Sequence, residues 1–583
     1  MQIMAAQGAG RRAIALTRDD AEKCALLETP AGPRVAKICG ADVELGNFIL
    51  GARTRRSSPG DAASALLGAI EGIAGCPLLT PFASWGGRIL APYFPIVYGA
   101  TAYRDVPPVT DRQDFGRKFL ATNGGCAYID LDHLEICLPE VTSAWDHLAC
   151  WHAMLRMVRS AQQAANARLD GASIQVLVNN SDGLGASYGS HLDVLVTRRA
   201  WDDMFHRRLH HLLFLAAYQA SSIVFTGQGK VGSENGAPAV RFQLSQRADF
   251  IETLVGPQTT YNRPLVNSRD EPLCGLRGAN GGDTGQGSLA RLHVISYDST
   301  LSHVAHLLKV GVLQLVLAMI EAERVNPALL LDDPVGAMRR WSHDPTLQHR
   351  ERLIAGGSVT AVELQQRLLE EARRFVEEGG ADPVVPRAAE IVDLWADTLA
   401  RLEEGDLETL AGRLDWVLKL SILRSLLVSR PGLSWMSPEI KHLDHLFASL
   451  DPDEGLFWAY ERSGLVERVI SEGDIRRFTE EPPADTRAWT RTMLLRAAGP
   501  TRVTEVNWDV VRLRTTGAGW GATWRINLDD PRAGTRETDG AVFDGRRSLE
   551  EIAGDLAGGA RVQATYGQWP MTNDQRGVPH ASP

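Results

Sequence analysis

Residues 40–46 read Gly-Ala-Asp-Val-Glu-Leu-Gly and follow a short apolar segment, Val35 to Cys39, that we interpret as the first core strand. Side chains two positions apart in a strand face the same side of a sheet, so Asp42 and Glu44 present two carboxylates to one surface. Two anionic oxygen donors on one face suit a magnesium ion. A solvated strand that carries two acids explains the same pattern equally well on the residues alone.

A second acidic stretch, residues 123–140, reads Asn-Gly-Gly-Cys-Ala-Tyr-Ile-Asp-Leu-Asp-His-Leu-Glu-Ile-Cys-Leu-Pro-Glu. Tyr128 and Asp130 share a strand face, and Glu135 and Glu140 follow within ten residues. Crowded carboxylates repel one another unless a cation or a proton compensates their charge. Taken alone, this stretch favours an exposed acidic turn slightly over a metal site.

Two further patterns carry polar side chains that could bind a ligand. Residues 179–191 form a Gly-rich turn that ends at His191, and their glycines can expose backbone N–H groups. Their spacing matches neither a P-loop nor a dinucleotide-binding fingerprint, so a structural turn is the default interpretation. Arg247 and Arg269 end apolar stretches, where a guanidinium could bind phosphate oxygens or close an internal salt bridge. Residues 291–295 repeat this pattern and contain His293.

The composition predicts a globular chain with more than one domain. The 583 residues are 44% hydrophobic and 23% charged, which allows one large domain and a smaller one. The net charge of -10 disfavours a broad electrostatic contact with nucleic acid. The 7 cysteines include no C-x-x-C pair, which argues against a disulfide framework or a structural zinc site and fits a reducing cytoplasm. We expect a cytoplasmic protein without a membrane partner, because no apolar run is long enough for a signal peptide or a membrane span.

Apolar periodicity and helix breakers divide the chain into four predicted segments. Helical spacing predicts helices at 144–168, 201–220, 301–322, 361–378, 388–404 and 406–427, after which Pro431 breaks the chain. We expect an N-terminal extension at 1–34, a large domain at 35–430, a small C-terminal domain at 431–515 and a poorly packed, Gly- and Arg-rich tail at 516–583.

In this order, the motifs resemble the family of the Pup ligase and the depupylase over roughly Ile38 to Leu513. The fold of that family is related to the glutamine synthetases and other carboxylate–amine ligases. The resemblance therefore implies an α+β fold: a glutamine synthetase-like antiparallel β-sheet cradle packed with helices, plus a small C-terminal domain. It also implies ATP and Mg²⁺ as cofactors and a small protein modifier, Pup-like, or its conjugates as the partner.

The resemblance also implies roles for single residues. Matched position by position, the family's metal ligands fall on Asp42, Glu44, Tyr128, Glu135, His191 and His293. The aspartate with which the family activates the attacking nucleophile falls on Asp130, and its phosphate-contacting arginines fall on Arg247 and Arg269. Such a set is physically coherent, because metal and arginines neutralise phosphate charge while a nearby carboxylate handles the nucleophile or the amide.

Three activities are compatible with this resemblance. Residues 227–232 and 485–489 are closer to the depupylase branch, and the Pro-containing insert before Asn123 falls in the region where the depupylase carries its characteristic loop, without a close match in sequence. We therefore expect a depupylase- or deamidase-like hydrolase of an amide or isopeptide bond on a small protein modifier. The first alternative is an ATP-dependent ligase that joins a glutamate carboxylate to an amine via an acyl phosphate. The second is a non-catalytic nucleotide-binding scaffold.

Several positions depart from the family's pattern. Asp42 replaces the first glutamate of its E-x-E strand, and its H-E-N-Y appears here as residues 191–194, His-Leu-Asp-Val. Its D-E-P-H appears as residues 270–273, Asp-Glu-Pro-Leu, and His303 and His306 stand in a helix start that is usually polar. These changes indicate a divergent member whose partner could be a protein other than Pup. The sequence makes no prediction of the oligomeric state.

Overall fold

The computed structural model of the chain describes residues 2–4, 13–15, 34–51, 59–73, 117–169, 171–271, 273, 289–514, 522–545, 547–557 and 562–566. Most of the predicted N-terminal extension and of the insert before Asn123 lies outside these residues.

The strands, in chain order, are β1 (Gln2–Met4), β2 (Ala13–Ala15), β3 (Cys39–Leu50), β4 (Lys118–Phe119), β5 (Cys126–Asp130), β6 (His133–Cys137), β7 (Ser173–Leu177), β8 (Ser190–Thr197), β9 (Lys230–Val231), β10 (Phe242–Gln243), β11 (Ile251–Gly256), β12 (Arg263–Asn267), β13 (Leu289–Val294), β14 (Glu351–Arg352), β15 (Ser358–Val359), β16 (Val503–Asn507), β17 (Val510–Arg514), β18 (Ala522–Asn527) and β19 (Val562–Tyr566).

The α-helices are α1 (Pro59–Ile73), α2 (Ala144–Asn166), α3 (Arg198–Asp202), α4 (Leu209–Ser221), α5 (Ile223–Thr226), α6 (His303–Glu321), α7 (Pro334–Ser342), α8 (Ala361–Glu377), α9 (Ala388–Glu404), α10 (Leu407–Ala411), α11 (Asp415–Ser429), α12 (Pro438–Phe447), α13 (Leu456–Arg462), α14 (Glu472–Glu480), α15 (Arg487–Arg502), α16 (Arg536–Asp539) and α17 (Leu549–Ala557).

An antiparallel sheet forms the centre of the described part of the chain. Its strand order is β13-β8-β3-β6-β5-β4, and β7 pairs with the second half of β3. The long strand β3 pairs with β6 and β8 along its first half, so it is the spine of the sheet. This sheet and the helices packed on it confirm the α+β fold class.

The two faces of the central sheet differ in polarity. Ala41, Val43 and Leu45 of β3 point into the main hydrophobic core, where α1, α2 and α6 pack. Asp42 and Glu44 point to the opposite face, as strand alternation predicts. Helix α6 has the length and apolar composition of a membrane span, but it is wholly buried in the protein, as the core helix of a globular domain would be.

The first core strand begins four residues later than the sequence indicates. Residues 35–38 join no strand, and β3 begins at Cys39. Lys37 explains the difference, because its buried ammonium pairs with the carboxylate of Glu321 and its backbone N–H donates to Val384 O at 2.9 Å. The segment is therefore held mainly by loop and helix contacts, and its one backbone bond to the sheet in the described part of the chain is the one that Ile38 O accepts from Leu195 N of β8 at 2.8 Å.

Two predicted helices are interrupted. A π-helical turn, Asp203–Arg207, separates α3 from α4 within the predicted helix at 201–220. The predicted helix at 406–427 breaks between α10 and α11 at Gly412, where a Cβ atom would lie 2.6 Å from Leu465 O. Close backbone approach requires a glycine at this position and favours a break in the helix.

The sequence predicts a domain boundary at Pro431, but the boundary in the structure lies later in the chain. Residues of α12, α13 and α14, such as Ile440, Trp458 and Phe478, belong to the main core, so Pro431 only follows the end of α11. A second core instead joins α15, the antiparallel sheet β16-β17-β18-β19 and α17.

The expectation of a poorly packed tail from residue 516 is wrong for residues 522–557. Strand β18 pairs with β17, and Ile526, Leu528 and Ile552 are buried in the second core. The Gly- and Arg-rich composition does not predict that these positions are buried, because the buried residues are few and widely spaced.

Glu140 joins the two parts of the protein. Its carboxylate accepts hydrogen bonds from Arg487 Nε at 2.7 Å and from Arg491 Nη2 at 2.6 Å, and its carbonyl oxygen accepts one from Thr486 Oγ1 at 2.7 Å. Burial alone would raise the pKa of Glu140, but the two guanidinium groups outweigh it and lower this pKa to about 2. The segments 139–141 and 485–489 are therefore in direct contact.

Candidate active site

The polar face of the central sheet brings the predicted site residues together. Asp42 on β3 lies directly opposite His191 on β8, and Glu44 lies opposite Glu135 on β6. Glu135 in turn lies opposite Tyr128 on β5. Residues that oppose one another in an antiparallel pair share a face, so these five side chains form neighbouring rows across the sheet.

One donor cluster on this face consists of Asp42, His191 and His293, whose ligand atoms lie within 4.8 Å of one another. His191 Nδ1 is 3.0 Å from Asp42 Oδ2. Two ligands at right angles around one ion with bonds of about 2.1 Å are separated by about 3 Å, so this spacing fits a shared metal. His293 Nε2 is buried and has no hydrogen-bond partner among the described residues, as expected for an atom reserved for a ligand.

A second cluster consists of Glu44, Asp130 and Glu135, again with donor atoms within 4.8 Å of one another. The Tyr128 hydroxyl donates a hydrogen bond to Glu135, and Gly189 N donates one to Glu44 Oε2 at 2.6 Å. A set of carboxylate oxygens is the ligand type that Mg²⁺ prefers. The six predicted metal ligands therefore lie on one face, and Asp130 lies among them.

Burial and neighbouring charges shift the pKa values of the carboxylates in the site. Burial raises the pKa of Asp130, and the charge of Glu44 raises it further. Burial and the charges of Asp42 and Glu44 raise the pKa of Glu135 well above its usual value. Burial also opposes the charge of Asp42, but the charge and hydrogen bond of His191 hold the pKa of Asp42 well below its usual value. A bound cation would relieve the repulsion within the acidic cluster.

A tight hairpin positions Asp130. Leu131 and Asp132 connect β5 to β6 with φ values of 43° and 73°, the left-handed pair of a two-residue hairpin turn. Asn47 fastens this hairpin to β3, because its side chain donates to Asp132 O at 3.1 Å and accepts from Leu134 N at 2.8 Å. Asp130 is therefore fixed at the last position of a strand.

The Gly-rich turn closes over the site. A Cβ atom on Gly189 would overlap the ring of His191, so only a glycine allows the backbone to pass this close. The N–H of Gly189 is used by Glu44, and Ser187 Oγ donates to Asn180 O at 2.9 Å. In the described residues this turn thus shapes the carboxylate site, and its default interpretation as a structural turn is compatible with these contacts.

A pocket of about 100 Å³ opens beside the clusters, between the sheet and the second core. Asp42, Asp193 and Arg291 line it from the sheet, while Arg487 and Trp508 line it from the C-terminal region. Arg117 adds a third guanidinium. Sequence reasoning did not select Arg117, Arg487 or Trp508 as site residues. Of these three residues, only Arg487 lies in a segment, residues 485–489, that carries the family resemblance.

The two arginines predicted to contact phosphate have different surroundings. Arg247 is buried and donates to Ser187 Oγ at 2.7 Å, to Tyr188 O at 3.0 Å and to Ile295 O at 2.9 Å. Burial and the charge of Arg263 lower the pKa of Arg247 to about 10. Arg269 is partly exposed and lies 3.3 Å from the Glu271 carboxylate. Neither arginine is among the residues that line the pocket. Their contact with phosphate stays a prediction.

Comparisons with known proteins agree with this architecture. The chain matches the family model described as Pup-ligase protein over residues 37–512. It is 36% identical to the depupylase of Acidothermus cellulolyticus, over 78% of this chain and 86% of that protein. It is 34% identical to the Pup–protein ligase of Acidimicrobium ferrooxidans, over 71% of this chain and 87% of that protein.

Two solved structures share the fold. The complex between the prokaryotic ubiquitin-like protein Pup and its ligase PafA matches with a TM-score of 0.68 and 23% identity, over 90% of this chain and 93% of that one. The ligase PafA in complex with ADP matches with a TM-score of 0.63 and 24% identity, over 82% and 96% of the two chains. The family match spans most of the chain, and the relatives match over most of their own length. The chain therefore belongs to the Pup ligase family.

Proposed function

We propose that this protein is a Mg²⁺- and ATP-binding enzyme that hydrolyses an amide or isopeptide bond on Pup or a similar small protein modifier. The observation that carries the proposal is the meeting of both donor clusters on one sheet face beside a pocket lined by arginines. Solved members of the same fold contain Pup in one case and ADP in the other, which supports the choice of partner and nucleotide.

The donor sets fit a metal and a nucleotide. Asp42, His191 and His293 would hold one ion, and Glu44 and Glu135 would hold another, with Tyr128 supporting Glu135. When bound, Mg²⁺ neutralises negative charge on phosphate oxygens. Arg117, whose Nε has no hydrogen-bond partner among the described residues, would supply a further donor for phosphate, and the ring of Trp508 offers an apolar wall for a base.

We assign to Asp130 the activation of the attacking nucleophile. Burial and the charge of Glu44 raise its pKa, which makes the carboxylate a stronger base than an exposed aspartate. In a hydrolase it would accept a proton from the attacking water. In a ligase it would accept a proton from the attacking amine, so the same residue serves both directions.

Hydrolysis is our first choice of direction. The relative named depupylase matches 78% of this chain, and the relative named ligase matches 71%. The segments at 227–232 and 485–489 also favour the depupylase branch. Ligation is the second choice, because identity to the ligase is almost as high. A non-catalytic scaffold is disfavoured, since it would have no need to keep three carboxylates together against their repulsion.

A cytoplasmic location fits this function. Cys39, Cys126, Cys137 and Cys150 are buried free thiols in the described part of the chain. Free thiols persist in reducing compartments.

The test is incubation of the purified protein with Mg-ATP and three substrates in separate reactions: a modifier that ends in Gln, an isopeptide conjugate of that modifier, and a modifier that ends in Glu together with a lysine-bearing acceptor protein. Intact masses and ADP release are followed together. Conversion of Gln to Glu, or release of the modifier, without matching ADP supports the hydrolase. ADP formed in step with a new amide-linked product would contradict the hydrolase and show a ligase. No reaction together with no Mg²⁺-dependent ATP binding would contradict both.

A further inference from the structure

We propose that Asp193 is a positioning residue that orients His293 for metal binding. This inference rests on the metal site proposed above. Asp193 stands outside both donor clusters, and none of the roles considered so far includes it.

The geometry is that of a carboxylate behind a metal-binding histidine. Asp193 on β8 lies directly opposite His293 on β13. Its Oδ1 atom is 2.7 Å from His293 Nδ1. The other ring nitrogen, Nε2, has no partner among the described residues, and the histidine is 2% exposed. A histidine that donates Nδ1–H to a carboxylate keeps Nε2 as a lone pair for a metal.

Arg291 holds the Asp193 carboxylate in place. Arg291 Nη1 donates to the same Oδ1 atom at 2.9 Å, and Arg291 is anchored in turn by a bond from its Nε to Glu271 O at 2.8 Å. The chain Arg291–Asp193–His293 crosses between two adjacent strands. A ring held in this way has its orientation set before the metal arrives.

Asp193 acts through its neighbours instead of as a ligand. The group of donor atoms that lie within 4.8 Å of one another contains Asp42, His191 and His293 but not Asp193. Of the members of this cluster, Asp193 contacts the ring of His293, on the side away from Nε2. Its effect should therefore appear in metal affinity.

The first test is titration of the nucleotide-free protein with Mn²⁺, with free Mn²⁺ measured by electron paramagnetic resonance. We expect Asp193→Ala to weaken Mn²⁺ binding by about 10- to 100-fold, the usual effect of losing such a partner. Asp193→Asn keeps an acceptor for Nδ1–H, so we expect it to stay within about threefold of the wild type.

A matched control is Asp249→Ala. Asp249 accepts a hydrogen bond from His343 Nε2 at 2.7 Å, so this variant loses an aspartate–histidine pair of the same length outside the clusters. We expect it to change the melting temperature but to leave Mn²⁺ affinity as in the wild type. Equal loss of affinity in Asp249→Ala and Asp193→Ala would reduce Asp193 to a general structural role and overturn the proposal.

The Asn variant separates positioning from direct ligation. If Asp193→Asn loses as much affinity as Asp193→Ala, the carboxylate itself binds the metal and the positioning role is wrong. If Asp193→Ala binds Mn²⁺ as tightly as the wild type, the inference fails while the proposed metal site stands. If the wild type binds no Mn²⁺, the metal site fails and the inference fails with it.

A measurement on the wild type removes the dependence on variants that fold poorly. Long-range ¹⁵N–¹H spectra of selectively histidine-labelled protein report which ring nitrogen carries the proton, and His293→Gln assigns the signal. We expect the neutral ring of His293 to carry its proton on Nδ1. A proton on Nε2 of the neutral ring would contradict the proposal.

Discussion

Replacement of the charged carboxylate of Glu44 by a neutral amide tests the proposed metal site directly. It lies in one cluster with Asp130 and Glu135 and accepts a hydrogen bond from Gly189 N. We expect Glu44→Gln to weaken Mg²⁺-dependent ATP binding by about tenfold or more, because a neutral amide is a poor magnesium ligand. Calorimetric titration of ATP with and without Mg²⁺ measures this change.

The control for Glu44 is Glu390→Gln, which removes an exposed carboxylate paired with Arg387 on the surface of α9. This variant should bind ATP like the wild type. Unchanged binding in Glu44→Gln, or equal losses in both variants, would argue against the assigned ligand set.

At the scale of residues, strand alternation predicts part of the site and cannot predict the rest. Asp42 with Glu44, and Tyr128 with Asp130, share a face because each pair belongs to one strand. Trp508 gives no such signal, because it joins the pocket only through the packing of a distant segment. Arg247 and Arg269 show the converse, since their positions after apolar stretches did not bring either of them into the pocket lining.

At the scale of elements, the turn between β5 and β6 carries avoidable strain. Leu131 has a φ of 43° and is 60% exposed, so a bulky apolar side chain occupies a left-handed conformation in solvent. Asparagine adopts this conformation more readily, and we expect Leu131→Asn to raise the free energy of unfolding by about 1 kcal/mol. Urea denaturation measures this change.

Leu184→Asn is the matched control for the hairpin. Leu184 is 91% exposed in the Gly-rich turn and is not one of the described residues with positive φ. We expect its replacement to change stability by less than about 0.5 kcal/mol. A similar gain in both variants would mean that removal of an exposed leucine, not relief of backbone strain, stabilises the protein.

The ends of a helix are predicted accurately where residues at or next to those ends determine them. Helices α2, α8 and α9 end within two residues of the predicted positions, and Ser143 and Thr360 cap the first two through their side chains. The breaks at 203–207 and at Gly412 were not predictable. At Gly412 the cause is a contact with Leu465, and such a contact leaves no mark on local periodicity.

At the scale of the whole molecule, Glu140 couples the C-terminal region to the central sheet. The pKa of Glu140 in the folded protein is about 2, against a usual value of 4.5. A carboxyl group with a lowered folded pKa stabilises the fold above pH 4.5 and loses this contribution as pH falls towards 2. By linkage the contribution near neutral pH is about 3 kcal/mol.

We therefore expect Glu140→Gln to lower the free energy of unfolding by about 3 kcal/mol at pH 7, since it leaves two buried arginines without their partner. The difference between wild type and variant should shrink between pH 4.5 and pH 2. Urea denaturation across this pH range is the measurement. A difference that stays constant with pH would show that the Glu140 charge does not stabilise the folded state.

The packed tail leads to a second prediction at this scale. A chain that ends at residue 515 lacks β18 and α17, whose buried residues include Ile526, Leu528 and Ile552. At about 1.5–3 kcal/mol for each buried aliphatic side chain, we expect the truncated protein to lose at least about 4 kcal/mol of stability. Thermal and urea unfolding against a chain that ends at 566 test this, and equal stability would contradict the packing described here.

The most direct test of the central claim is the turnover of Asp130→Asn on a modifier that ends in Gln, with Mg-ATP, followed by intact mass. We expect the wild type to convert Gln to Glu and Asp130→Asn to be slower by about 100-fold or more. Nucleotide affinity should be unchanged, and Asp132→Asn in the same hairpin should retain turnover. Full activity in Asp130→Asn would contradict the claim that this sheet face performs the reaction.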